Sequence, residues 1–257
     1  MKEFLGFGGY ARTPEGYLSW QHLAFVTGLM VIMVAAAWLL GRKNRLCRED
    51  VKNKVLIWSA FLIDGIELFK IVVMCLRGAD PMGWLYNLPL FLCSIQLITI
   101  PMAAFCKGRI REASMDFVMI FGVLGAVLGT YGAGQNYGSY PVLSLDNVAS
   151  GITHSISGFC ALYIAFSGLV SMKRKNIGIC FGILVGFCVM AYAANCLLDY
   201  NYMFLRAGDG TPYDILYNLL GGHPVLYPAG VVGLFLVYIS LFYTVYFLVA
   251  RKKAAAV

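Results

Sequence analysis

Charge is scarce in this sequence. Only 13% of its 257 residues are Asp, Glu, Lys or Arg, 60% are hydrophobic, and the mean hydropathy is +0.74. A water-soluble domain carries roughly 25% charged residues, so that class is excluded. Strand-type alternation of polar and apolar residues is also missing, which argues against a membrane β-barrel. The eight cysteines show no CxxC spacing, so no metal centre is expected, and no motif calls for a cofactor. Most of these cysteines fall in apolar stretches and read as buried thiols; Cys75 and Cys196, both near helix ends, are the one pair whose positions allow a bridge. No internal repeat, soluble domain or low-complexity tract appears beyond a short KKAAA tail. A cleavable signal peptide is not expected, because the first apolar run follows a polar segment and is too long for a signal core.

What is present is a series of apolar stretches, each close to the ~20 residues that cross a ~30 Å hydrocarbon core. Seven spans are predicted, near 19–41, 55–76, 84–106, 114–134, 148–171, 177–198 and 224–249. The expected fold is therefore all-α: a polytopic seven-transmembrane-helix bundle forming a single transmembrane domain over 1–257. Orientation follows from the basic residues. The 1–2 loop holds Arg42, Lys43, Arg45, Arg48, Lys52 and Lys54; the 3–4 loop holds Lys107, Arg109 and Arg111. The 5–6 loop holds Lys173, Arg174 and Lys175, and the C-terminal end holds Arg251, Lys252 and Lys253. The alternate side has Lys2, Arg12, Arg77 and Arg206. This bias predicts an N-terminus outside, a cytoplasmic C-terminus, and a multi-pass protein of the cell membrane. The net charge of +7 is thus a topology signal, and no nucleic-acid partner is expected.

Small residues mark close helix packing. Gly122, Gly125, Gly129 and Gly132 lie in span 4, and Gly178, Gly182 and Gly186 form a doubled GxxxG in span 6. Packing within the chain is the expected use of these faces, with a dimer through them as the alternative.

A charge placed in hydrocarbon costs at least ~2.5 kcal/mol, so each intramembrane charge needs a partner or a wet cavity. Span 2 carries Asp64, Glu67 and Lys70 at intervals of three, and Glu67 can pair with Lys70 on one helical face. The pair is either a structural lock between helices or part of a site for a polar group. With alternate spans running in opposite directions, Glu67, Lys70, Asn87, His154, Asn195 and Asp199 all fall in the outer halves of their spans. Asn201, Tyr202, Arg206 and His223 follow in the outer loop, and His22 lies near the outer end of span 1. This gathering predicts a polar cavity open to the outer face or leaflet. His154, flanked by Thr153 and Ser155, has the chemistry of a general base, with Cys93 or a hydroxyl as nucleophile. Its plain alternative is a histidine bonding between helices; that of Cys93 is a core thiol. Pro89 and Pro101 are expected to kink span 3.

The segments SWQHL, the Glu67–Lys70 spacing, LPLFLC, the His154 region, NCLLDYNYMFL and HPVLYP together resemble the bacterial YwaF-like integral membrane proteins, distantly similar to animal transmembrane protein 164. The resemblance spans essentially the whole chain and implies a seven-helix fold. The animal relative is regarded as a lipid acyltransferase using a Cys and a His. The bacterial pattern reads LPLHLC, and Phe91 stands here at its His. Leu90 occupies the position that matches the animal relative's reactive Cys, with Cys93 three residues on.

Three functions follow as expectations. The first is a lipid acyl-processing enzyme, acyltransferase or hydrolase, with His154 and Cys93 as catalytic residues. Glu67, Lys70, Asn87, Asn195, Asp199, Asn201 and Tyr202 would contact a lipid or small-molecule ligand. The second is a small-solute transporter or membrane substrate-binding subunit, and the third a receptor-like sensor. In each case membrane lipid is the expected partner.

Overall fold

The computed structural model describes residues 2–78, 85, 88–170 and 172–255. Helices make up most of those residues, and no strand is present among them. The helices are α1 (Lys2–Leu5), α2 (Trp20–Asn44), α3 (Glu49–Arg77), α4 (Gln96–Phe105), α5 (Gly108–Tyr131), α6 (Gly134–Ser139), α7 (Leu145–Ser167), α8 (Ile177–Leu198), α9 (Tyr213–Leu219) and α10 (Leu226–Ala255). Short 3₁₀ turns lie at Leu92–Ile95, Arg174–Asn176 and Tyr202–Phe204. The chain divides into two compact units. Unit 1 comprises residues 1–88 and 96–170; unit 2 comprises 89–95 and 171–257.

Among the described residues, five helical stretches are long and apolar enough to cross a membrane: Trp20–Asn44, Gly108–Ser139, Leu145–Ser167, Arg174–Leu198 and Leu226–Ala250. Helix α3 has the length, at 29 residues, but carries Asp64, Glu67 and Lys70 in its middle. The third predicted span is not one helix. Leu88 to Phe91 are non-helical, a 3₁₀ turn covers Leu92–Ile95, and regular helix begins only at Gln96. Pro89 accounts for the break, since it lacks an N–H and disfavours helical geometry at Leu88. Pro101 is accommodated inside α4.

Apolar side chains cover much of the exterior: Val31 is 62% exposed, Ile32 66% and Trp58 73%. A surface of this kind is stable against lipid chains and not against water.

In unit 1, α7 packs against α2, α3 and α5, while α4 lies against α3 and α5. Glycines make these approaches close. A Cβ on Gly122 of α5 would sit 2.6 Å from the Ser157 carbonyl oxygen and 2.7 Å from the Ala161 Cβ of α7. On the α7 side, a Cβ on Gly151 would meet Leu29 at 2.8 Å, and one on Gly158 would meet Ala126 at 2.7 Å and overlap the Met33 sulfur. In a bilayer such interfaces rest on van der Waals packing, which small residues maximise. Ala37, Ile63, Phe117, Ile120, Cys160 and Tyr163 are sealed in this interior. Ser144 caps α7 by accepting from the Asn147 N–H (3.3 Å), and Gly168 ends it in the left-handed region at φ 75°.

At the opposite end of α7, the Tyr163 hydroxyl accepts from the Asn44 amide (3.0 Å) and donates to the Lys52 carbonyl (3.1 Å). Nearby, Arg111 of α5 donates to the Ala103 carbonyl (3.1 Å) and Asn53 (3.1 Å), and pairs with Glu49. The Ala103 carbonyl lies in the last turn of α4, so Arg111 satisfies an acceptor that would otherwise lack a partner.

In unit 2, α8 packs against α10, and α10 against α9. Cys180 of α8 and Tyr243 of α10 lie 3.4 Å apart. The Arg174 guanidinium stacks 5.3 Å above the Phe247 ring.

Candidate functional site

The polar residues of unit 1 meet where α3, α5 and α7 pack together. Lys70 Nζ donates to Glu67 Oε1 at 2.7 Å, and the two side chains are only 18% and 14% exposed. One turn deeper, Asp64 has a buried Oδ1 that accepts no hydrogen bond. His154 of α7 is half-buried. Its ring hydrogen-bonds to the backbone of Gly125 and lies within the electrostatic reach of Lys70. Gly129 provides the floor: a Cβ there would overlap the imidazole itself. The ring therefore has a fixed seat on α5, within the electrostatic reach of Lys70.

The hydroxyls flanking His154 serve their own helix. Thr153 donates to the Ser150 carbonyl (3.0 Å), Ser155 to Gly151 (2.7 Å) and Ser157 to Thr153 (3.2 Å). Such bonds back along a helix are common for Ser and Thr. Neither neighbour of His154 has its proton directed at the imidazole.

The remaining candidates belong to unit 2, except Asn87, which lies outside the described residues. Cys93 is half-buried in the Leu92–Ile95 turn, and no disulfide joins any of the eight cysteines. Two residues earlier, Phe91 meets Tyr202 edge-on (5.4 Å between ring centres) and Phe204 at 6.2 Å. Position 91 thus holds an aromatic hydrocarbon packed against the 199–223 connection.

Asn195 is fully buried in α8. Its side-chain amide donates to the Tyr202 carbonyl (2.9 Å), and its Oδ1 accepts from the Tyr202 N–H (2.5 Å). Asn201 does similar work one turn along. It donates to the Ala207 carbonyl (2.8 Å) and Asp209 (2.6 Å) and accepts from the Arg206 N–H (2.9 Å). Asp199 ends α8 in the left-handed region and pairs with Arg206 at 2.6 Å. Tyr202 is sealed, with Tyr200 against its ring at 4.6 Å. Met203 and Phe204 both hold φ near +55°, at 57° and 55°, a strained region for residues with side chains. The two asparagines hold that strained turn in place.

Of the other histidines, His22 is fully buried. Its Nδ1 accepts from the Leu18 N–H (3.1 Å), its Nε2 faces the Thr130 carbonyl (3.1 Å), and its ring lies 3.9 Å from that of Tyr137. His223 is exposed and accepts from the Val225 and Leu226 N–H groups at the start of α10. Both act as caps and anchors.

One cluster escaped the sequence reading. Arg77, the last residue of α3, forks onto Asp146 at the start of α7 (2.6 and 2.9 Å), and Tyr10 joins both. Burial, together with its hydrogen bond to Asp146, pushes the Tyr10 phenol up to about 12. In the sequence Arg77 counts only among the basic residues of the alternate side, and nothing local joins it to Asp146 or Tyr10.

Long apolar helices, an apolar exterior and charged groups paired inside the helical packing define a multi-pass helical membrane protein. A sequence profile described as the TMEM164 family matches residues 17–249. The chain belongs to the TMEM164 family. No curated protein and no solved structure matches it.

Proposed function

We propose that this protein processes lipid acyl groups, as an acyltransferase or acyl hydrolase, with His154 as its general base. One observation carries the reading: a half-buried imidazole seated over Gly129, within the electrostatic reach of the Lys70 that pairs with Glu67, in the interior of a membrane unit. Charged and titratable groups at such positions are costly and mark function by default. In acyl transfer the base removes a proton from the attacking group as its bond to the acyl carbonyl forms. The carbonyl oxygen gains negative charge, which a nearby ammonium stabilises; Lys70 is the residue for that role. Collapse of the intermediate expels the lysolipid oxygen, which takes back the proton. Water is the nucleophile in a hydrolase reading; in an acyltransferase reading Cys93 stays a candidate nucleophile on the grounds of the YwaF-like resemblance alone.

The remaining ligand contacts divide by role. Glu67 orients Lys70. Asn195 and Asn201 shape the turn that carries Tyr202, and Asp199 fixes Arg206. Asn87 stays a candidate on sequence grounds. The topology that accompanies this function is seven spans with the N-terminus outside and the site in the outer half of a cell-membrane protein. Helix α3 and the Leu92–Phe105 segment join the five long apolar helices to reach that number.

The test is acyl exchange or hydrolysis by purified protein in phospholipid vesicles. His154→Ala should lower the rate by about 10²-fold or more. Cys93→Ser should do the same for a transferase and leave a hydrolase unaffected. Full activity in His154→Ala would remove His154 from the mechanism.

A further inference from the structure

Residues 2–19 are tied across one end of unit 1. The Tyr10 hydroxyl donates to Asp146 Oδ2 (2.5 Å) and accepts from Arg77 Nη1 (2.8 Å). The Val142 N–H donates to Glu15 (2.8 Å), Tyr17 donates to the Tyr131 carbonyl (2.9 Å), and Tyr10 meets the Tyr140 ring edge-on at 5.9 Å. Gly6 passes so close to the Arg77 guanidinium that a Cβ there would overlap it, and its φ of 75° suits glycine.

Below this latch the α3–α7 seam is layered. Lys70 lies seven residues before Arg77 on α3, and His154 eight residues after Asp146 on α7. At 1.5 Å per residue, both sit about 10–12 Å beneath the latch. An apolar cluster runs down from the latch: Leu145 beside Asp146 on α7, then Val73 of α3 and Ala149 of α7 between the two polar layers, all buried. Two further side chains pack on it, Ile66 and Leu5. Leu5 belongs to α1, so the N-terminal segment packs on the cluster that runs from the latch towards His154.

We propose that the N-terminal segment is an autoinhibitory stopper on the α3–α7 seam. Seated, Leu5 completes the apolar cluster and the Tyr10–Arg77–Asp146 latch holds it there, which shuts the approach to His154 along the seam. Released, it opens that approach. The proposal rests on His154 as the working group, but it concerns access and not chemistry. Buried polar latches suit such a role: fully satisfied they are rigid, and loss of one member weakens the others.

Diethyl pyrocarbonate acylates accessible imidazoles, and peptide mass spectrometry reads each histidine separately. Exposed His223 is the reference within the same molecule. In native protein in vesicles, His154 should react about tenfold or more slowly than His223. Leu5→Ala and Arg77→Gln should each bring His154 to within about threefold of the reference. Arg77→Asp combined with Asp146→Arg should return it towards the native rate. Unreactive Cys160, which is fully buried, certifies that a variant is folded. Leu5→Ala leaves every latch residue in place, so it decides the question even where Arg77→Gln does not fold. Native labelling of His154 as fast as His223, or unchanged labelling in folded Leu5→Ala, overturns the stopper. Labelling needs no turnover, so an inactive His154→Ala bears on the enzyme alone, and the stopper stands or falls separately.

Discussion

In unit 1, the glycines at positions 122 and 129 of α5 are occupied: Ser157 and Ala161 press on the first and the His154 ring on the second. In unit 2, Gly178, Gly182 and Gly186 of α8 meet nothing within 4 Å among the described residues. The polar residues divide the same way. Glu67, Lys70 and His154 interact across side chains of different turns and helices, whereas Asn195 and Asn201 bind mainly the backbone of a single connection. Residue types that look equivalent in the sequence therefore have different duties. In unit 1 they hold helices together around a titratable group, and in unit 2 they shape a turn or leave a face of α8 uncovered.

The largest test of this contrast is Lys70→Met. It leaves the Glu67 carboxylate enclosed without its cation, and should lower stability by about 3 kcal/mol, read from unfolding in mild detergent. A change under about 1 kcal/mol would mean that water reaches Glu67, and the unit 1 cluster would be no more buried than the polar residues of unit 2. Gly129→Ala follows at about 2–3 kcal/mol, since the new methyl must displace the imidazole. The same substitution should also lower any acyl-exchange rate, whereas Gly182→Ala should not.

Asn195→Ala should cost about 2 kcal/mol by stranding the Tyr202 N–H and carbonyl. In folded protein that variant should keep its acyl-exchange rate within a few-fold of native. A rate collapse with intact stability would move Asn195 from turn architecture to ligand contact. Smallest is Gly182→Ala, expected to be neutral or to stabilise α8 by up to about 1 kcal/mol through helix propensity. A clear loss of stability there, dependent on protein concentration, would reveal a second copy on the α8 face.

The latch adds a pH signature to unit 1. The Tyr10 phenol binds its proton more tightly in the folded protein, at about 12 against an ordinary 10.0. The folded state then holds more protons than the unfolded state between those values, so stability falls as pH rises through this window. Below pH 10 the contribution is complete. Tyr10→Phe should remove that alkaline loss, measured as unfolding against pH in the two proteins.

The membrane class, six of the helices and the Glu67–Lys70 pair were legible in the sequence because each depends on local information: apolar length, or an i,i+3 spacing. The third span was not. An apolar run over 84–106 satisfies the same length criterion, yet Pro89 stops helix geometry at its start and leaves Leu92–Phe105. The gathering of His154, Glu67 and Lys70 was partly legible, since depth along each helix follows from span direction. Which helices are neighbours does not, and so the Arg77–Asp146–Tyr10 cluster stayed hidden among isolated charges. Asn195 and Asn201 looked like ligand contacts because an amide near a helix end has the same appearance whether it meets a solute or a backbone turn.

The glycine-lined faces of α7 have a mechanical consequence. Gly151 and Gly158 receive side chains of α2, and the opposite contact is with Gly122 and Gly129 of α5, so α7 is held closely between two neighbours. A helix held this way has little room to twist about its axis or slide without collision. It is the stator of unit 1. A change in the surroundings of His154 would then come from α3 and the segment that precedes α2, which hold α7 through side chains such as Arg77 and Tyr10 on Asp146.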